Sequence, residues 1–361
     1  MSFADIHSVP LYMNIIKVFS LALIAFVFAM LWTPILTGFL YRYGVRAKIK
    51  TRSVDGKEAP IFYSLHKDKA GTPLMGGLLI WVTVLIMALV LRLLKILFGG
   101  IWVDWDFLSR SQTWLPMFAL VATGILGVVD DVKTTRGMGS NKGGGVRFLY
   151  RFWWLFMIAL AGGLWFFYKL DFNSIHLPGF GDLEIGWWYI PFFVFVILAT
   201  AISSNETDGL DGLNGGVLLT AFSVFGVIAF VQHRIDLSVF CAVIVGSLLA
   251  FLWFNINPAR FFMGDTGAIS MGTALGVVAM VTKSAFILPI VCFIYVLESM
   301  SVIVQLTSKK LWGRKIFLSS PFHHHLQALG WPENKVVMRF WILSGVTGIV
   351  GLIVGIFGMG K

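Results

Sequence analysis

WWYIPFFVFVILATAISSNETDGLDGLNGGV, residues 187–217, sets an apolar run against three carboxylates, Glu206, Asp208 and Asp211. The run is one of about ten whose length approaches the twenty residues that cross roughly 30 Å of hydrocarbon as a helix. Their bounds are 12–37, 74–98, 114–129, 152–168, 187–202, 215–231, 237–254, 267–282, 284–304 and 340–358. The chain of 361 residues is 58% hydrophobic and only 13% charged, with a mean hydropathy of +0.84. Such a composition leaves too little polar surface to coat a soluble protein. The expectation is an all-α, polytopic integral membrane protein with about ten transmembrane helices, folded as a single membrane-embedded domain over 1–361. The first run is longer than a signal-peptide core and has no clear small-x-small cleavage site, so it is read as a first transmembrane helix.

Orientation follows from Lys and Arg, which cytoplasmic loops hold in excess. Loops 41–73, 130–151 and 305–339 carry eight, five and six basic residues, whereas 99–113 and 169–186 carry one each against two and three acids. Odd-numbered loops are therefore expected in the cytoplasm and both termini outside, in the periplasm. The net charge of +10 gathers on one face, where it suits anionic lipid headgroups or an anionic substrate. No nucleic-acid partner is expected, because no recognised binding module or basic array interleaved with aromatics is present.

The acids gather on the same face. Asp130 and Asp131 close the third run, Glu206, Asp208 and Asp211 follow the fifth, and Asp265 follows the seventh in FNINPARFFMGDTGAISMG. Carboxylates near hydrocarbon are costly unless paired, hydrated or bound to a cation, so three clusters at matching ends point to one shared site. The plainer account, turn and cap residues, has force for DGLDG alone. Hard oxygen ligands without cysteine favour Mg²⁺ or Mn²⁺, and an ion that keeps water and takes one or two carboxylates is typical of phosphate chemistry. Glycines flank these acids at Gly209, Gly212, Gly215, Gly216, Gly264, Gly267 and Gly143 to Gly145, where backbone can approach a ligand or a neighbouring helix. Cys241 and Cys292 lie far apart in apolar runs and are read as structural thiols. His323, His324 and His325 stand in a row in the ninth loop. Adjacent side chains diverge, so they are read as hydrogen-bond donors to phosphate or ribose rather than a metal trio, with a structural loop role as the alternative. Phe262, three residues before Asp265, could stack on a base or simply pack.

KAGTPLMGG at 69–77, GVVDDVK at 127–133, NETDGLDGL at 205–213, FLWFNINPARFFMGDTG at 251–267 and SPFHHHLQALGWP at 320–332 together resemble the polyprenyl-phosphate N-acetylhexosamine-1-phosphate transferase superfamily, the glycosyltransferase 4 family. The last motif favours its phospho-N-acetylmuramoyl-pentapeptide transferase branch. The resemblance implies a bacterial inner-membrane enzyme with its active site on the cytoplasmic face. Such an enzyme moves phospho-MurNAc-pentapeptide from UDP-MurNAc-pentapeptide to undecaprenyl phosphate, with Mg²⁺, yielding lipid I and UMP. It further implies Asp265 as metal ligand and Asp130 and Asp131 as an acidic pair near the lipid phosphate, Asp130 being the candidate base. By the same resemblance Asn205, Asp208, Asn255 and Phe262 line the nucleotide pocket, Lys69 and Lys133 face phosphate, and His324 and His325 bind substrate.

Leu74, Ile202, Arg151 and Glu206 depart from the family's usual threonine, asparagine, lysine and apolar residue, which touches fine substrate contacts more than reaction class. For Asp130, binding Mg²⁺ or orienting phosphate stands beside the base role, because a phosphate monoester with a second pKa near 6 is largely a dianion at pH 7. A route through a phosphorylated aspartate stays open, as does a homodimer. The rivals are a sibling transferase using UDP-GlcNAc and a cation-coupled transporter, whose acids would sit near the bilayer midplane.

Overall fold

The computed structural model describes residues 11–46, 63, 67–109, 112–137 and 148–358. Gly143 to Gly145 and both chain termini lie outside the described residues. Each of the ten apolar runs coincides with a helix or a pair of helices. In chain order they are α1 (Leu11–Arg42), α2 (Leu78–Phe98), a short α3 (Ile101–Trp105), α4 (Trp114–Arg136), α5 (Phe148–Lys169), α6 (Tyr189–Thr207), α7 (Leu213–Val231), α8 (Ile235–Asn255), α9 (Asp265–Val281), α10 (Leu288–Val291), α11 (Phe293–Trp312), α12 (Phe322–Ala328) and α13 (Glu333–Gly358). Eight of these are long and apolar enough to cross a membrane. The strands β1 (Ser174–Leu177) and β2 (Gly181–Glu184) form one small antiparallel hairpin between α5 and α6.

The run 284–304, read from sequence as one span, is not straight. It breaks at Cys292 into Ala285–Val291 and Phe293–Trp312, which meet at 82°. The second piece buries Glu298, Ser301, Gln305 and Ser308 at spacings of three and four, so its inner face is polar. Gln305 accepts the Ile316 and Phe317 N–H groups and donates to the Phe317 carbonyl, which ties the following loop back along that face.

Helix α9 is the centre of the bundle. Every residue from Thr266 to Val281 is buried, and a helix apolar on all sides belongs in a core. It packs chiefly on α4 and α6, while α1 lies against α8, and α7 against α8 and α13. In a lipid-surrounded bundle small residues permit the close approaches that hold helices together. A Cβ on Gly127 of α4 would run into the Thr266 backbone, and one on Gly77 into Gly267. These two glycines seat the first turn of α9 against its neighbours.

Far from the acids at 130 and 265, the C-terminal end of α2 is fastened by charge. Asp106 is buried, and its Oδ2 pairs with Arg92 at 2.8 Å and Lys95 at 3.0 Å, while Oδ1 accepts the Leu108 N–H. Burial alone would raise this carboxyl, but the two cations and the Leu108 N–H outweigh it and hold it below the ordinary value of 3.8. A depressed carboxyl contributes stability that is present above its ordinary pKa and lost as pH falls through the folded one. Asp106→Asn is therefore expected to cost about 1–2 kcal/mol near neutral pH, discounted because both cations reach solvent. Thermal unfolding in detergent should show the variant's deficit shrinking at acid pH; a deficit independent of pH would remove the ionic account.

Candidate active site

The acid-bearing motifs converge at one end of the bundle, and the convergence is built on the N-terminus of α9. Gly264 precedes that helix with φ +72°, a left-handed conformation that glycine adopts without strain. The helix has no cap from its own chain neighbours. Instead Asp131, from the end of α4, accepts the Asp265 N–H on Oδ1 at 3.1 Å and the Thr266 N–H on Oδ2 at 3.0 Å. A carboxylate on orphan N–H groups at the positive end of the helix dipole is stabilising. Both Asp131 oxygens serve the backbone, so Asp131 acts on the site by fixing where Asp265 stands.

The Asp265 side chain projects into a cluster. Arg151, at the start of α5, places Nη1 2.6 Å from Asp265 Oδ2 and 3.0 Å from Asp130 Oδ2. Asn205 at the end of α6 donates to Asp265 Oδ1 at 2.5 Å. Asp130 is buried, whereas about a fifth of the Asp265 side chain, 22%, stays exposed. Asp208 accepts the Gly264 N–H at 3.1 Å. Desolvation, then the nearby Asp265 charge, push the Asp208 carboxyl up to about 7.

The other expected residues fall into a second layer. Lys69 reaches Asp211 at 2.6 Å and Glu333 at 2.5 Å, and lies 5.8 Å from the centre of the Phe262 ring. Glu333 also accepts the Asp211 N–H, and Asp211 Oδ2 accepts from Asn257 and the Ala259 N–H. Asn255 joins two loops, accepting the Gly212 N–H and donating to the Phe261 carbonyl. Lys133 lies exposed in the last turn of α4, and among the described residues its side chain forms no bond to this cluster. Phe262 exchanges backbone hydrogen bonds with Pro73 and Gly76, which brings the motif at 69–77 under the loop before α9.

The three histidines diverge, as adjacent side chains must. His324 contacts Gln327 at 3.0 Å, and His325 accepts the Leu318 N–H while packing against Phe317 and Phe322. His323 is fully buried against Glu298, which is also fully buried. Its Nδ1 lies 3.0 Å from Glu298 Oε2 without hydrogen-bond alignment, and its backbone N–H is 3.3 Å from both carboxylate oxygens. The His323 ring abuts Gly209 so closely that no Cβ fits there. Glu206 turns toward α11, where the Ser299 hydroxyl meets it at 2.6 Å.

Sequence reasoning did not assign Glu298, Glu333, Asn214 or Tyr295. Glu298 carried a signal, an acid alone within an apolar run, and Glu333 another, an acid just after Pro332 where a helix begins. Tyr295 donates to Asn214 at 2.7 Å, and Asn214 in turn contacts Ser204 and Met263. That buried polar chain joins α11, α7 and α6 to the loop before α9, and no local pattern announces it.

Among the described residues no three Cys, His, Asp or Glu side chains form a closed metal cage. Two carboxylates, Asp130 and Asp265, do converge on one cationic nitrogen, and Asp265 is partly open. Hard oxygens in that number suit a small divalent cation that completes its shell with water and phosphate. The donor set is chemically compatible with such an ion.

Comparison with known proteins gives the arrangement a context. Residues 113–283 match the family model described as glycosyl transferase family 4. The chain is 36% identical over 304 residues to the phospho-N-acetylmuramoyl-pentapeptide-transferase of Pelagibacter ubique, covering 79% of this chain and 80% of that protein. It is 36% identical to the protein of the same name from a Ruegeria species, covering 82% of each. A relative so named from Geobacillus thermodenitrificans is 32% identical, with 92% of this chain and 96% of that protein covered.

The Asp208 carboxyl gives a pH signature. A carboxyl whose folded pKa is raised contributes stability that is full below its ordinary value and lost as pH rises through the folded one; for Asp208 that window runs from 3.8 to about 7. With divalent ions chelated, thermal stability is expected to fall between about pH 4 and about pH 7, and Asp208→Asn should flatten the fall. Parallel profiles for both proteins would refute the assignment.

Proposed function

The chain belongs to the phospho-N-acetylmuramoyl-pentapeptide-transferase family, and from that premise we propose that it transfers phospho-MurNAc-pentapeptide from UDP-MurNAc-pentapeptide to undecaprenyl phosphate. The products are lipid I and UMP. The observation that carries the reading is the joining of Asp130, Asp265 and Asn205 at helix ends around one positive charge, in a chain matched over most of its length by enzymes of that name. A transporter would need its acids near the middle of the bilayer, and these stand where α4, α6 and α9 begin or end. The enzyme works in the bacterial inner membrane with this end toward the cytoplasm, where the soluble nucleotide precursor is available and where the basic loops belong.

An oxygen of the lipid phosphate attacks the β-phosphorus of the donor; the bond from that phosphorus to the bridging oxygen breaks, and UMP leaves with the bridging oxygen and its electron pair. Asp265, with Asp130 beside it, would hold Mg²⁺, which when bound would offset the charge of the diphosphate. The acceptor is largely a dianion at neutral pH and needs no base, so Asp130 serves by holding positive charge rather than by taking a proton. Asp131 keeps Asp265 in register through the α9 backbone. Arg151, and Lys69 once freed from its carboxylates, supply positive charge to the transferred phosphoryl group. Phe262 beside Lys69 offers a face for the uracil, and Asp208, Asn255 and the loop under His323 give that pocket a fixed floor.

Two measurements test the reading. Asp265→Asn should abolish UMP release with UDP-MurNAc-pentapeptide and a polyprenyl phosphate in detergent, and UDP-GlcNAc should neither serve as donor nor compete; turnover like that of wild type in the variant would remove the assignment. Glu333→Ala leaves the Asp211 N–H and Lys69 each short of a partner. It should raise KM for the nucleotide donor about tenfold with a smaller change in kcat, the equivalent of about 1.4 kcal/mol of lost binding.

A further inference from the structure

Arg151 stands at the point where a divalent ion would be held. A single nitrogen, Nη1, lies 2.6 Å from Asp265 Oδ2 and 3.0 Å from Asp130 Oδ2, so both oxygens are directed at one locus. A guanidinium nitrogen and a dication cannot share it. Two carboxylates brought together at the edge of an apolar bundle repel unless a cation lies between them, and in this structure Arg151 is such a cation. An arginine cannot leave by losing its proton, since a guanidinium stays protonated in proteins; it must swing away. The geometry allows this, because Arg151 is in the first turn of α5 with 22% of its side chain open to solvent. The partial opening of Asp265 is on the same scale, 22%. After such a swing the planar fork remains beside the site and can take a phosphate oxygen pair.

We propose that Arg151 is a resident counter-cation: it holds Asp130 and Asp265 together before loading, is exchanged for the divalent ion, and thereby sets the affinity for that ion. The proposal rests on the reading of Asp265 as metal ligand and goes beyond it in assigning the competing charge to a residue of this chain. It predicts an affinity weaker than the carboxylates alone would give, because part of the binding free energy goes to displacing the guanidinium.

The test is Mn²⁺ binding to purified, monodisperse protein in detergent without substrate, followed by electron paramagnetic resonance and by metal-dependent thermal shift. Wild type should bind Mn²⁺ saturably and Asp265→Asn should not. Arg151→Gln should bind Mn²⁺ at least about fivefold more tightly than wild type, melt lower than wild type in chelator, and gain more from saturating Mn²⁺. If the glutamine variant does not fold, Arg151→Lys replaces it, with a smaller tightening expected because a lysine ammonium bridges less rigidly. Wild type binding with Asp265→Asn silent, but with the Arg151 variants binding equally or more weakly, overturns the counter-cation and leaves the metal-ligand reading intact. Wild type failing to bind, or Asp265→Asn binding as wild type does, overturns both.

Discussion

The structure turns on a cap supplied across the bundle. Asp131 of α4 satisfies the first two N–H groups of α9, and this one contact decides where Asp265 can be. It needs Gly127 beneath Thr266 and Gly264 in a left-handed turn, since a Cβ at either position would collide with this interface. Helix termini leave N–H groups that must find acceptors, and inside a bilayer-sized bundle the cost of leaving them bare is several kcal/mol each. A carboxylate is the strongest available answer at the positive end of a helix. The acidic pair in GVVDDVK is thus divided in labour: one aspartate holds the helix, and its neighbour faces the charge cluster.

The centre of the bundle explains why the site can be both polar and firm. Helix α9 is enclosed along its whole length, so its first residue is fixed by everything that packs around the rest. The loop 208–212 is held from several sides: Asn255 and Trp341 take its Gly212 backbone, Glu333 takes the Asp211 N–H, and the buried His323 ring closes on Gly209. None of these contacts requires a ligand. They form a floor, and the residues left with partial exposure, Asp265, Arg151 and Lys69, are the ones that can change partners.

Much of this was legible in the sequence because it depends on composition and on where charge is tolerated. Runs of apolar residues located the long helices among the described residues, and the carboxylates read near helix ends do come together, Asp130 with Asp265 on Arg151. The direction in which a side chain points was not legible. Lys69, expected to face phosphate, is held by two carboxylates, one of them on α13, 264 residues away in sequence. His324 and His325, expected at the ligand, bond within their own loop region, while His323 carries the buried contact with Glu298. The 82° bend after α10 was hidden because hydropathy averages over a window and does not register a change of axis. In each case the deciding partner lies on another helix, and spacing within one segment carries no information about it.

The choice of arginine at 151 bears on how the two aspartates are held together. Two aspartates brought together at the end of an apolar bundle repel each other unless a cation lies between them, and Arg151 lies between Asp130 and Asp265. A lysine offers a compact charge that is strongly hydrated and can shed its proton when buried. A guanidinium keeps its charge, spans two carboxylates with one nitrogen, and tolerates partial desolvation. Under the counter-cation proposal the consequence is a trade: better-ordered carboxylates against a harder exchange for an ion. In the proposed exchange the guanidinium moves by a side-chain rotation while α5 stays in place, and the Asp131 oxygens, bonded to the Asp265 and Thr266 N–H groups, keep the trans-cap.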